Sequence, residues 1–171
     1  MNSINPDAEA HPRTNIRVTN RIRPARAGHY LLLMEVEMDF SNVNWLAVVV
    51  CVVVAMVSGF LWYHPKVFFP AWWAGIGKSG EPGNPNPMIY AYTIIAALVQ
   101  AVFVSLLLNV MGSNTLAAGV QGGFMIWLGF VAPTNLVNKL FAGQGFKVWA
   151  IEAGNHLVNF LLFGAILGAW Q

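Results

Sequence analysis

The sequence predicts an all-α protein, an integral membrane bundle of four transmembrane helices with an interfacial aromatic segment between helices 1 and 2. Its composition points to a membrane, because 57% of the residues are hydrophobic and 9% are charged, whereas soluble domains carry about 25% charged residues. The apolar residues form four long uncharged runs, and about 20 helical residues cross a bilayer core of about 30 Å. The runs are continuous rather than alternating, which excludes membrane β-strands.

Three unlike links separate the four predicted spans. The spans lie at about 43–62, 88–111, 115–135 and 148–170. The second link, 112–114, is so short that it predicts a helical hairpin with antiparallel neighbours. The first link, 63–87, begins apolar and ends in a polar loop rich in Pro and Gly, whereas the third, 136–147, is interpreted as a plain surface turn.

The stretch FLWYHPKVFFPAWW at residues 60–73 closes the first span. Aromatic rings with a polar edge are enriched at the headgroup level of membranes, so the stretch predicts a helix exit with an interfacial aromatic belt. Pro65 and Pro70 are expected to break the helix, and Lys66 to place its charge among the headgroups. The belt residues are Trp62, Tyr63, His64, Trp72 and Trp73.

The first 37 residues differ from the rest and contain all five arginines. We expect a disordered extension over 1–37 and a four-helix transmembrane domain over 38–171. Met38 precedes a short polar lead and a membrane run, which predicts that translation starts naturally at Met38; the alternative is a real cytosolic tail. The arginines have no aromatic interleaving and no binding motif, so we expect no nucleic-acid partner.

The lysines predict how the bundle is oriented. All four lie in links 63–87 and 136–147, which share one side of a four-span protein. The positive-inside rule places these links in the cytoplasm, with both termini outside if the chain starts at Met38. An arginine tail would oppose the lysines, and the rule would then favour neither orientation.

A polar stripe runs along the fourth span. Glu152, Asn155, His156 and Asn159 have the spacing of one helix face, and such a face is expected inside the bundle or against a partner. One hypothesis is a proton or ligand site with Glu152 and His156 as a coupled pair. The favoured alternative is an interhelical hydrogen-bond cluster whose partners are Asn135 and Asn138 on the third span.

Small residues four positions apart predict close helix packing, either within the bundle or between copies. These residues are Ala55 and Gly59, Gly119 and Gly123, and Gly164 and Gly168.

Four stretches carry a resemblance to a known family. They are NWLAVVV, GFLWYHPKVFFPAW, TLAAGVQGGFMIWLGFVAPT and AGNHLVNFLLFGAILGAW, which together cover about residues 38–170. The sequence resembles the small bacterial membrane proteins grouped as domain of unknown function 1761. The resemblance implies four transmembrane helices in the bacterial cytoplasmic (inner) membrane and no established activity, and it supplies no catalytic residues.

The sequence is compatible with three kinds of function. The first is non-enzymatic: a membrane protein that acts by helix association, as a homo-oligomer or as an accessory subunit of another membrane protein. The alternative is a proton-linked or small-solute transporter or channel subunit that uses the Glu152 and His156 face. A membrane enzyme or metal site ranks last, because HExxH, GxSxG and phosphate-loop motifs are missing. We therefore expect no catalytic residue, no metal and no cofactor.

Overall fold

A computed structural model describes residues 39–170, and most of them are helical. A short 3₁₀ turn at Phe40–Asn42 precedes the helices. These are α1 (Trp45–Trp62), α2 (Phe69–Gly75), α3 (Pro87–Val110), α4 (Leu116–Phe141) and α5 (Gly145–Ala169). Four of them, α1, α3, α4 and α5, are long and apolar enough to cross a membrane. The described residues contain no strand, so the predicted fold class is confirmed. The expected extension over 1–37 and the proposed start at Met38 lie outside the described residues.

Polar side chains cap the helices where the membrane runs begin. The Asn44 side chain accepts a hydrogen bond from the Ala47 N–H, and Thr115 accepts one from Ala118. Asn86 does the same for Met88, with Pro87 in the first turn of α3. The first N–H groups of a helix have no partner within it, so these short polar residues fix where each helix starts.

The third membrane helix differs from its predicted outline. It continues to Phe141, although the sequence interpretation ended it near 135 and treated 136–147 as a surface turn. Pro133 does not end this helix, which continues through it. A π-helical turn at Trp127–Val131 comes first, and Ala132 donates to the carbonyl of Trp127, five residues back. This wider turn accommodates the proline, which has no N–H and crowds the preceding turn.

Helices α4 and α5 touch backbone to backbone through four glycines. A methyl group on Gly168 would lie 2.6 Å from the Thr115 carbonyl oxygen and 2.7 Å from the Cα of Gly119. Methyl groups on Gly119 and Gly164 would each collide with the carbonyl of the other residue, and one on Gly123 with the carbonyl of Phe160. These four predicted packing residues therefore join two helices of the same chain. Ala55 is buried, whereas a methyl on Gly59 would meet no atom within 4 Å.

The two ends of the bundle are chemically different. At one end, here called the Asn44 end, the Asn44 amide donates to the carbonyl of Trp170 at 3.1 Å. The Asn109 amide donates to the carbonyl of Asn42 at 3.3 Å. The start of α1 therefore lies beside the ends of α3 and α5. The opposite end, here called the Lys139 end, holds α2 and the described lysines.

The hydrophobic core is concentrated toward the Asn44 end. Its fully buried members include Val48 and Cys51 on α1, Leu106 and Leu108 on α3, and Phe163 on α5. Helix α3 takes part only from Ala97 onward, since Ala97 is its first buried residue.

The first half of α3, residues 87–96, contains no buried residue. Its six large side chains are between 45% and 64% exposed. They are Met88, Ile89, Tyr90, Tyr92, Ile94 and Ile95. They occupy every side of the helix, so this half diverges from the rest of the chain.

Replacing Gly119 by leucine should destabilise the bundle severely. The new side chain must push α4 away from the backbone of α5, and overpacking typically costs about 1–3 kcal/mol, with more expected where the obstacle is backbone. Gly59→Leu is the matched control, because Gly59 also lies in a membrane helix but faces open space. Thermal unfolding of both variants in one detergent measures the difference. Equal unfolding temperatures would contradict the glycine contact.

Candidate functional site

The carboxylate of Glu152 is the centre of a polar cluster at the Lys139 end. One oxygen accepts a hydrogen bond from the Trp72 indole N–H at 2.9 Å. The other lies 2.8 Å from the Lys139 ammonium group and 3.5 Å from the Asn135 amide nitrogen. The Glu152 and Lys139 side chains are 15% and 21% exposed. The charge of Glu152 is thus compensated by a cation and two further donors from α2 and α4.

Helix α2 brings Trp72 to the carboxylate. A methyl group on Gly75 would lie 2.5 Å from the Val148 side chain, so α2 packs closely on α5. The Trp72 ring meets the Tyr63 ring edge to face, with centroids 5.3 Å apart. Burial, followed by the nearby charge of Glu152, raises the pKa of the Tyr63 phenol above its ordinary value. Tyr63 is therefore a neutral side chain at the edge of the cluster.

Three more tryptophans tie helices together around the first part of α5. Trp62 donates to the carbonyl of Ile151 at 2.9 Å, and Trp127 to that of Ala153 at 3.0 Å. Trp149 on α5 itself donates to the carbonyl of Ala132 on α4 at 2.9 Å. An indole N–H needs an acceptor when it leaves water, and in this bundle backbone carbonyls of neighbouring helices supply it.

The predicted aromatic belt therefore divides into two kinds of residue. Trp62 and Trp72 hydrogen-bond to α5, a role that the belt interpretation did not include. Trp73 is half-buried like them but bonds locally: its indole donates to the carbonyl of Gly80, and the ammonium of Lys78 lies 4.6 Å from the ring centroid. His64 accepts a hydrogen bond from the Lys66 N–H through Nδ1 at 3.2 Å.

The predicted stripe on α5 divides in the same way. Asn155 is buried and donates to the Ser58 hydroxyl on α1 at 3.4 Å. His156 is half-buried, and its imidazole makes no hydrogen bond to another described residue. The side-chain oxygens of Asn159 and Asn135 are buried without a hydrogen-bond partner among residues 39–170. Asn138 is exposed, so of the two predicted asparagine partners Asn135 alone reaches Glu152.

Several site residues were missed from the sequence. Lys139 was assigned to a surface turn, yet it follows Asn135 by four residues and shares its helix face. That spacing is a signal that could have identified it. Trp127, Trp149 and Ser58 carried no comparable signal, because a single Trp or Ser in an apolar run does not identify its partner.

The cluster joins α2, α4 and α5, and its hydrogen bonds and ion pair hold these three helices together. We call this arrangement the clamp. Removing one partner of a partly buried ion pair leaves an uncompensated charge, so the pair resists separation even where its net contribution to stability is small. Among residues 39–170, there is no group of three or more His, Cys, Asp or Glu side chains that could hold a metal ion.

Comparison with known proteins identifies a family. The family model described as "Protein of unknown function (DUF1761)" matches residues 46–168, which confirms the resemblance found in the sequence. No curated protein and no solved structure matches the chain.

Lys139→Met should destabilise the protein more when Glu152 is present than in a Glu152→Gln background. Contacting partners in such a double-mutant cycle typically couple by about 0.5–3 kcal/mol, and partial burial of the pair favours the upper half of that range. Denaturant titration in mixed micelles of the four proteins measures the coupling. Lys147→Met, at the exposed start of α5, is the control and should show none. Additive effects at 139 and 152 would contradict the clamp.

Proposed function

The chain belongs to the DUF1761 family of proteins of unknown function, and we propose that it acts by lateral helix association in the membrane, as an oligomer or as an accessory subunit. The observation that carries this proposal is the first half of α3. That segment exposes large side chains on every side, while the second half packs into the core. A membrane helix that diverges from its own bundle offers a contact surface to another membrane-embedded helix.

The glycine pairs do not supply that surface. Gly119, Gly123, Gly164 and Gly168 are occupied within the chain by the contact between α4 and α5. Small residues at this spacing permit close helix approach in membranes, and here the approach is already made. An association surface must therefore lie elsewhere, and the unpacked half of α3 is available for it.

The number of copies in native membrane tests the proposal. We expect particles extracted in a lipid-retaining polymer to contain at least two copies or a co-purified membrane protein, measured by fluorophore photobleaching steps and mass spectrometry. Truncating Tyr92 and Ile95 to alanine should shift the particles toward single copies, because it removes contact area. Leu46→Ala with Val49→Ala removes similarly exposed side chains from the Asn44 end of α1 and should change nothing. Single, unaccompanied copies of the unaltered protein would contradict the proposal.

The transport alternative receives less support from the geometry. A proton-carrying carboxylate must exchange with water, whereas Glu152 is held by Lys139, Trp72 and Asn135. The observation in its favour is the pair of unpartnered buried oxygens on Asn135 and Asn159, together with a half-buried His156. Proton flux into vesicles that contain the purified protein tests this alternative. A flux that falls in both Glu152→Gln and His156→Gln, while both variants remain folded, would favour transport over association. A membrane enzyme or metal site ranks last.

The expected orientation also enters as a proposal: a multi-pass protein of the bacterial inner membrane with links 63–87 and 136–147 in the cytoplasm. Lys66, Lys78 and Lys147 are exposed at the Lys139 end, and cytoplasmic loops carry an excess of such residues.

A cysteine at position 83 tests this orientation in a Cys51→Ala background. An impermeant maleimide should label Gly83→Cys only after the inner membrane is opened, because the reagent cannot cross the bilayer. Asn114→Cys, in the exposed turn between α3 and α4, is the control and should label in intact spheroplasts. The reverse pattern would overturn the orientation.

A further inference from the structure

An apolar groove of about 540 Å³ lies between α1 and α5 toward the Lys139 end. Val57, Ser58 and Leu61 line it from α1, and Val158 and Leu162 from α5. Phe68, in the link after α1, also borders it. The groove lies within the membrane-spanning part of both helices.

The groove lies at the level where α3 leaves the bundle. Asn42, just before α1, contacts Asn109 near the end of α3, so the two helices run antiparallel. The second half of α3 packs beside the first half of α1, and residues 87–96 pass beside the level of the groove. None of these α3 residues lines it. One chain thus carries an apolar groove that its own α3 does not line and an unpacked apolar helix segment at the same depth in the membrane.

We propose that a second copy of this chain occupies the groove, with residues 87–96 of each copy inserted between α1 and α5 of the other. The proposal rests on the association proposed above and names its partner and its surface. Two copies in the same orientation, related by a two-fold axis along the membrane normal, bring segment and groove to the same depth. The contact is then made twice and closes on itself, as isologous interfaces do.

The area available suffices for a stable dimer. Six side chains on the segment are each about half exposed. With about 200 Å² for each side chain, and half of the exposed surface turned to the partner, one segment buries about 300 Å² and the groove surface facing it about as much. Two reciprocal contacts therefore bury about 1,200 Å² in total, above the approximately 1,000 Å² that a specific interface needs. A charged residue would oppose insertion into this groove, and residues 87–96 contain none.

The groove also offers one polar contact. The Ser58 hydroxyl accepts a hydrogen bond from Asn155, and its own hydrogen has no acceptor among the described residues. Thr93 donates to the carbonyl of Ile89, which leaves lone pairs on its oxygen free to accept. A hydroxyl pair of this kind adds to van der Waals packing in lipid, where helix association has no hydrophobic driving force.

Disulfide cross-linking between two differently tagged copies tests the proposal. Both copies carry Cys51→Ala; one carries Val57→Cys in the groove, and the other carries one cysteine scanned along 88–96. Oxidation in native membranes should give a heterodimer band that is strongest near Ile95 and recurs every three to four residues, because disulfides need Cβ atoms about 4 Å apart. Val57→Cys against Val110→Cys, which lies at the opposite end of α3, should give none.

The remaining outcomes separate the competing occupants. Copies that associate in the photobleaching assay without any groove cross-link would overturn the groove contact and leave association standing. Single copies with a tightly held lipid would overturn both, with the lipid as occupant of the groove. A cross-link formed within one chain that carries both cysteines, at high dilution in lipid, would overturn the dimer by showing that α3 closes onto its own groove.

Discussion

The backbone contact between α4 and α5 sets the positions of the other functional groups. Four glycines let these helices approach until the carbonyl of one meets the Cα of the other. At that distance, Asn135 and Lys139 on α4 come within reach of Glu152 on α5. Trp127 and Trp149 reach the backbone of the opposite helix by the same approach. Side chains as large as leucine at the glycine positions would push the helices apart. Every one of these hydrogen bonds and the ion pair would then be lost.

Charge in the membrane is the second constraint, and the cluster compensates the charge of Glu152 with neighbouring side chains. An ionised carboxylate inside a bilayer is costly even on the most lenient scales, at about 3 kcal/mol near the centre. Glu152 lies within the first turns of α5, where Lys139 and the α2 indole are available. Helix α2, predicted as an interfacial aromatic segment, also covers the carboxylate, because its Trp72 donates a hydrogen bond to Glu152. The cluster and the glycines hold two neighbouring stretches of the same helix pair.

Sequence patterns predicted the features that depend on composition and missed those that depend on which neighbour a side chain meets. Four apolar runs sufficed for four membrane helices, and Glu152 was identified as an unusual charge. Gly59 and Gly119 look alike in sequence, yet one faces open space and the other a carbonyl. Helix spacing cannot distinguish them, because it gives the face of a helix and not its neighbour. Proline inside a helix usually bends or ends it, yet the third span continues past Pro133 because a wider turn precedes it and relieves the clash. The divergence of α3 had no sequence signal, because residues 87–96 are as apolar as a packed segment would be.

The π-helical turn at Trp127–Val131 has a consequence for evolution as well as for geometry. Such a turn accommodates one extra residue, and one residue rotates the remainder of the helix by about 100° around its axis. The glycines before the turn and the Asn135–Lys139 face after it therefore both point at α5 only because the turn resets their phase. A single-residue deletion here would preserve every other amino acid and still turn Lys139 away from Glu152. The number of residues between Trp127 and Val131 is thus constrained, although no individual side chain in this interval reveals it.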